Sequence, residues 1–227
     1  MRSVVRRPTA RCPVCLLPPR WCICEARRDI VCPLQIDLLT HQRELTRPSS
    51  TGNLIKRLLP ATRQHSWRQD QPLTAATVVA PGRELWVLHP SGKPLPANYD
   101  LASTQVLLLD GSWSEATAMS SQVAQWGRLV SLPMQGDSRF WLRAQQDGGR
   151  FSTVEALMFL LNAVGLDEIS QAIRLQFELH VYAGLRSRGR TDLAGEFLAG
   201  SVINTALADY LVELHRRRPK ADDNKST

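Results

Sequence analysis

Long apolar runs are missing from this 227-residue sequence: none approaches the about 20 residues that a membrane-spanning helix needs, and residues 106–109 form a typical short one. No apolar segment follows the first arginines, which argues against a secretory signal. Internal repeats and low-complexity tracts are also missing. With 43% hydrophobic and 22% charged residues, the composition excludes a disordered tail protein, a collagen-like chain and a coiled coil. We therefore expect a cytoplasmic globular protein with one large domain or one and a half small ones.

Acidic residues are fewer than basic ones, since 21 Asp and Glu face 28 Lys and Arg and the formal charge is +7. This excess favours an anionic partner, most commonly nucleic acid, although a soluble protein can be basic without one. Seven arginines lie within residues 1–28, against the single acid Glu25. The basic run 215–218 is a second candidate contact, or simply a favourable charge at a helix C-terminus.

Cysteine does not occur after residue 32. All five cysteines lie in a proline-containing stretch, residues 1–32, that has no helical or strand periodicity, and four of them form the pattern C-x2-C-x6-C-x-C: Cys12, Cys15, Cys22 and Cys24. Thiols stay reduced in the cytosol, and four thiolates can surround one tetrahedral Zn²⁺, whose binding would supply the folding energy of this segment. An iron–sulfur centre and free thiols remain alternatives. Cys32 is either a core thiol or a replacement ligand.

Beyond residue 32, strand patterns alternate with helical patterns, which favours an α/β domain with a mostly parallel sheet over residues 33–218 and a disordered tail at 219–227. We predict strands at residues 33–40, 85–89, 106–110 and 129–132, and a rigid loop at 90–96. We predict helices at residues 51–59, 115–126, 152–164, 167–186 and 202–217, with Gly165 ending the third of them.

An acid ends the most apolar predicted strand: Asp110 is followed by Gly111, Ser112 and Trp113 before a helix. Ligands of open α/β sheets bind at the carboxyl ends of strands, so Asp110 is a candidate catalytic residue. Trp113 offers a flat face for a base. The structural alternative is that Asp110 caps the helix and Trp113 belongs to the core.

Two further polar stretches stand at predicted helix starts. His41, Glu44 and Arg47 lead through small hydroxyl residues into a helix, which makes either an anion cradle or a solvated loop. Ser152 and Glu155 form a capping box, which has a purely structural explanation as well.

These four landmarks, in this order, resemble the DTW-domain family, which is named for an acid–x–Thr–Trp motif, and the resemblance covers about residues 11–215. The chain looks most similar to bacterial tRNA-uridine aminocarboxypropyltransferases. Ser112 stands in place of the family's threonine and keeps its hydroxyl. Residues 49–51 read Ser-Ser-Thr where Thr-Asn-Thr is expected, so Ser50 replaces an amide.

The resemblance implies a SPOUT-like α/β fold with a knotted cofactor-binding part, and S-adenosylmethionine as donor of a 3-amino-3-carboxypropyl group to N3 of a uridine in the tRNA variable loop. It implies a catalytic group of Asp110, Ser112 and Trp113. The donor-binding group would be Leu109, Gly111, Leu132, Pro133, Arg143, Ser152, Thr153 and Glu155. The tRNA-binding group would be His41, Glu44, Arg47, Ser50, Thr51, Arg20 and Arg27.

Several choices stay open at this point. Asp110 is the preferred general base, but Glu44 and Glu155 are alternatives. Either Arg143 or Arg150 could pair with the carboxylate of the donor. Rival functions are a SPOUT-type RNA methyltransferase and a non-catalytic zinc-ribbon RNA-binding protein.

Overall fold

The computed structural model describes residues 10–71, 73–143 and 150–217, so the predicted tail at 219–227 lies outside the described residues. The chain divides into two compact units. The first, here called the cysteine unit, combines Met1–Arg27 with Glu178–Thr227, and the second, the sheet unit, is Arg28–Phe177. The cysteine segment thus shares its unit with helices from the C-terminal third of the chain.

The sheet unit contains five parallel strands in the order β2-β1-β4-β3-β5. Their bounds are β1 Gln35–His41, β2 Arg63–Trp67, β3 Glu84–Lys93, β4 Thr104–Asp110 and β5 Arg128–Val130. The predicted parallel α/β sheet is confirmed. The apolar run of β4 places it in the middle of the sheet, because a strand that is buried on both faces has no polar face.

Eight helices are found in the described residues: α1 Thr51–Leu58, α2 Ala75–Val78, α3 Trp113–Val123, α4 Thr153–Ala163, α5 Asp167–Ser187, α6 Thr191–Ala199, α7 Ile203–Ala206 and α8 Ala208–Arg216. The N-caps of α1, α3 and α4 are Ser50, Ser112 and Ser152. The first backbone N–H groups of a helix have no carbonyl partner within the helix. Gly165, with φ +77°, follows α4 and ends it as predicted.

Both faces of the sheet are covered. On one face Leu39 and Leu107 pack against Met119 and Val123 of α3. Side chains alternate along a strand, so the fully buried Leu38 points to the opposite face, and α4 contacts β4 and α1.

Strand β3 is longer than the sequence predicts, and the rigid loop expected from residue 90 onward is partly wrong. The strand continues through Pro90 to Lys93, where pairing with Val130 of β5 resumes beyond an irregularity in the register. Proline has no N–H to donate and is tolerated where the hydrogen-bonding ladder is interrupted.

Several elements were not predicted correctly from the sequence, among them the short helix α2. Strand β2 has no apolar run, because it is an edge strand in which only Trp67 is buried. Helix α6 was not predicted, and the single helix expected at residues 202–217 is two helices, α7 and α8, that meet at Leu207 with φ −129°.

In the cysteine unit, the cysteine segment forms two short 3-10 turns, Pro19–Trp21 and Cys24–Ala26, and buries Leu17 and Ile23. Arg217 at the end of α8 donates to the carbonyl oxygen of Cys22 at 2.6 Å, which ties the segment to that helix. Among the described helices, none combines the length and apolar character required to cross a membrane.

Candidate active site

A cavity of about 880 Å³ lies outside the carboxyl ends of β3, β4 and β5, where Leu88, Asp110 and Val130 line it. The strand order places the point where the connections diverge between β1 and β4, next to the lining residue Asp110. After β1 the chain continues to β2 on one side, whereas after β4 it crosses over β3 to β5 on the other side. Neighbouring strands whose connections diverge leave a crevice at their carboxyl ends, and open α/β sheets bind ligands there.

Asp110, the last residue of β4, is buried with 3% of its surface exposed and still lines this cavity. Its Oδ1 accepts a hydrogen bond from the Thr153 hydroxyl at 2.8 Å, and its Oδ2 accepts one from the Ser50 hydroxyl at 3.0 Å. Burial raises the pKa of Asp110, although these two hydroxyls oppose the shift. Asp110 is therefore a stronger base than an ordinary aspartate.

The start of α1 lies directly against the Asp110 carboxyl group. A Cβ atom on Gly52 would come within 2.3 Å of Asp110 Oδ2, and glycine is the only residue type that leaves this space free. Three elements thus fix one carboxyl group: α1 supplies Ser50 and Gly52, β4 carries Asp110, and α4 supplies Thr153.

The structural alternative for the Asp110–Trp113 motif is wrong in both parts. Ser112, not Asp110, caps α3, because its hydroxyl accepts from the Glu115 N–H while the Glu115 carboxylate accepts from the Ser112 N–H. Trp113 is 40% exposed rather than in the core, and its ring lines the cavity with the Arg150 guanidinium 5.9 Å from its centroid. An indole in this position can stack on a flat ligand.

The residues predicted to bind tRNA lie in four separate places. Thr51 lines the cavity, and Ser50 contacts Asp110. His41 lies 3.2 Å from Glu115 and packs on Trp67.

Glu44 and Arg47 form part of an ion-pair network. The fully buried Glu44 carboxylate lies between Arg47, at 2.5 Å, and Arg143, at 2.8 Å. With both oxygens engaged by guanidinium groups, Glu44 is a poor candidate for the general base.

Arg20 and Arg27 belong to the cysteine unit. The Arg20 guanidinium donates to the backbone carbonyls of Leu214 and His215 and lies 4.4 Å from the centre of the Trp21 ring. Arg20 therefore joins the cysteine segment to the end of α8, and Arg27 is exposed.

Most of the predicted donor-binding group lines the cavity: Leu109, Gly111, Leu132, Arg143, Ser152 and Thr153. Pro133 and Glu155 are not lining residues. Lining residues that the sequence patterns did not single out include His89, Met134, Arg139, Phe140 and Trp141. Alternating arginine and aromatic residues at 139–143 were the available signal, because such a mixture is typical of sites that stack and neutralise nucleotides.

The four predicted metal ligands come together in the cysteine unit. The sulfur atoms of Cys12, Cys15, Cys22 and Cys24 all lie within 4.8 Å of one another, with separations of 3.6 Å for Cys12–Cys24 and 3.7 Å for Cys15–Cys22. Four sulfurs at 2.3 Å from a tetrahedral zinc would be about 3.8 Å apart, so this set fits the ion. Cys32 is not part of the cluster, and burial raises the pKa of its thiol.

A family model described as the DTW domain matches residues 9–185, well over half of the chain. The match includes the cysteine cluster and every residue named above as lining the cavity. The family includes tRNA-modifying enzymes. No solved structure matches the chain.

Proposed function

Because the chain belongs to the DTW-domain family, we propose that it is a tRNA-modifying transferase that moves the 3-amino-3-carboxypropyl group of S-adenosylmethionine to N3 of a uridine in the tRNA variable loop. The observation that carries this proposal is the position of Asp110. A buried carboxyl group with a raised pKa lines a cavity beside an exposed indole at the carboxyl end of a central strand.

The nucleophile needs a base. Uridine N3 carries a proton and attacks poorly until that proton leaves, so a carboxylate within hydrogen-bond reach is required. In the proposed step Asp110 takes the N3 proton, and the N3 electron pair forms a bond to the terminal carbon of the aminocarboxypropyl group. The carbon–sulfur bond breaks and its electrons neutralise the sulfonium, which leaves methylthioadenosine.

The choice of the transferred group depends on orientation. Three carbons of the sulfonium are open to displacement, and the one presented in line with N3 reacts. The proposed donor site lies near the start of α4, where free backbone N–H groups attract an anion, and its cationic candidates for the donor's carboxylate are Arg143 and Arg150. Trp113 would stack on the uracil or adenine ring.

We assign tRNA binding to the cysteine unit, whose sequence has 14 Lys and Arg against 8 Asp and Glu, whereas the sheet unit has 14 against 13. Almost all of the excess positive charge thus belongs to the unit that contains the cysteines, and phosphate contacts dominate the affinity of basic proteins for nucleic acid. Zn²⁺ held by the four cysteines would be structural. A knotted SPOUT-like arrangement and a cytoplasmic location are further parts of the proposal.

The decisive experiment uses unmodified tRNA and S-adenosylmethionine labelled either in the methyl group or in the carboxypropyl group. We expect only the carboxypropyl label to enter tRNA. Transfer of the methyl label would instead establish the rival RNA methyltransferase. Binding of tRNA without transfer of either label would favour the non-catalytic RNA-binding protein.

The matched variant is Asp110→Asn, for which we expect at least about a 100-fold loss of kcat with tRNA affinity retained, as is typical when a general base is removed. The fold should survive, because a charged, desolvated carboxylate costs stability at pH values above its unfolded pKa and the amide does not. Asp192→Asn, at an exposed position in the first turn of α6, serves as the control. Full transfer by Asp110→Asn would eliminate Asp110 as the base.

A further inference from the structure

The residues at 136–143, here called the wall segment, form one side of the cavity and contribute Arg139, Phe140 and Trp141 to its lining. No helix or strand covers this stretch, so backbone hydrogen bonding within a regular element does not hold it in place. Its position must depend on side-chain contacts with the rest of the sheet unit.

Glu155 supplies the contact at one end of the wall segment. Its carboxylate is 4% exposed and accepts hydrogen bonds from the Arg139 backbone N–H at 2.7 Å and from the Ser138 hydroxyl at 2.9 Å. The same carboxylate accepts from the N–H and hydroxyl of Ser152, both at 2.7 Å. The Glu155 side chain therefore joins the wall segment to the start of α4. Glu155 is two residues from Thr153, whose hydroxyl donates to Asp110.

Glu44 supplies the contact at the other end. Its buried carboxylate binds Arg143, the last residue of the wall segment, and Arg47. Asn53 of α1 donates to the carbonyl oxygens of Glu44 at 3.2 Å and Leu45 at 2.9 Å, which fixes the backbone that carries this carboxylate.

We propose that Glu155 is a positioning residue that holds the wall segment against α4 and so forms the donor side of the cavity, while Glu44 fixes the far end through Arg143. Glu155 acts through Ser138 and Arg139 and exchanges no proton with the substrate. Its four donors use the acceptor capacity of both oxygens, which leaves no place for a substrate proton. The consequence for catalysis rests on the proposed transferase function, whereas the structural part does not.

The test is Glu155→Gln, which keeps the size of the side chain but turns one acceptor oxygen into a donor facing N–H groups. Hydrogen–deuterium exchange on the full chain without ligand should show at least roughly tenfold faster exchange at residues 136–143, the effect of losing one hydrogen bond to a charged group. Glu168→Gln, on the exposed first turn of α5, is the matched control and should leave the exchange unchanged.

In the transfer assay we expect the KM for S-adenosylmethionine to rise about tenfold in Glu155→Gln with kcat changed less than about threefold. Unaltered exchange at 136–143, or a lost kcat with an unchanged KM, would overturn the proposal. If Glu155→Gln does not fold, Ser138→Ala is the second variant. It removes the hydrogen bond from the Ser138 hydroxyl to the Glu155 carboxylate and must accelerate exchange at residues 136–143. A wild-type protein without transfer would refute the proposed function, yet the exchange result would still decide the role of Glu155.

Discussion

At the scale of single residues, the environment of Asp110 combines opposing influences on one carboxyl group. Burial raises its pKa, and the hydroxyls of Thr153 and Ser50 limit that rise by hydrogen bonding to the charged form. A base of this kind gains proton affinity from burial, while its hydroxyl partners favour the ionised form. The two hydroxyls therefore set the lower pH limit at which Asp110 works.

This balance predicts the effect of Thr153→Val. Removing one hydrogen bond to the carboxylate should raise the pKa of Asp110 further. Because the ionised form is the base, activity is lost as the pH falls through this pKa, so the acidic limb of the kcat/KM profile should move to higher pH. The exposed Thr205→Val is the control for a threonine outside the site. An acidic limb at the wild-type position in Thr153→Val would show that Asp110 is not the titrating group.

At the scale of elements, the approach of α1 to β4 depends on the absence of a side chain at Gly52. Gly52→Ala would place a methyl group 2.3 Å from Asp110 Oδ2, and the carboxyl group has little room to move because it is buried and held on both oxygens. We expect a loss of activity of about 100-fold, the size of effect that a displacement near 1 Å has on a reacting group. Steady-state transfer kinetics and circular dichroism measure the loss and the retained fold.

Gly195→Ala in α6 is the control, since a Cβ at this position meets nothing within 4 Å and alanine favours a helix. Equal activity of Gly52→Ala and the wild type would mean that the carboxyl group can shift without consequence, contrary to its tight packing.

The sequence predicts elements well where one pattern dominates. The apolar run that ends in Asp110 identifies the central strand, and Ser152 with Glu155 identifies the start of α4. Sequence patterns do not predict β2, because an edge strand buries too little surface to need apolar residues. They also mislead at Pro90, where the proline suggests a loop but lies inside β3.

The sequence also predicted one part of the candidate site and missed another. Asp110 and Trp113 stand in a recognisable motif, and both line the cavity. Of the wall segment only Arg143 was predicted, because the segment is held at the cavity by two buried glutamates whose partners are distant in sequence: Glu44 and Arg143 are 99 residues apart. Pairs of this kind arise from tertiary packing, which local periodicity does not report.

At the scale of the whole molecule, the two units differ in charge, and the cysteine segment differs from the sheet unit in what can stabilise it. The sheet unit has a central strand that is buried on both faces, whereas the cysteine segment has few buried apolar side chains and is joined to α8 by arginine contacts. A small segment of this kind needs a covalent or metal cross-link to stay folded. Loss of the proposed Zn²⁺ should therefore affect the cysteine segment selectively.

The variant that tests this division is Cys12→Ser. It removes one of four thiolates, so we expect zinc content measured by elemental analysis to fall, while the cooperative unfolding of the sheet unit persists. The affinity for tRNA should decrease, and the slope of its logarithm against the logarithm of salt concentration should become shallower by about one for each phosphate that the variant no longer binds. Cys32→Ser is the matched control, because Cys32 lies outside the cluster and should keep both zinc and tRNA affinity. Zinc loss without any change in affinity or salt slope would mean that tRNA is bound by the sheet unit, despite its nearly balanced charge.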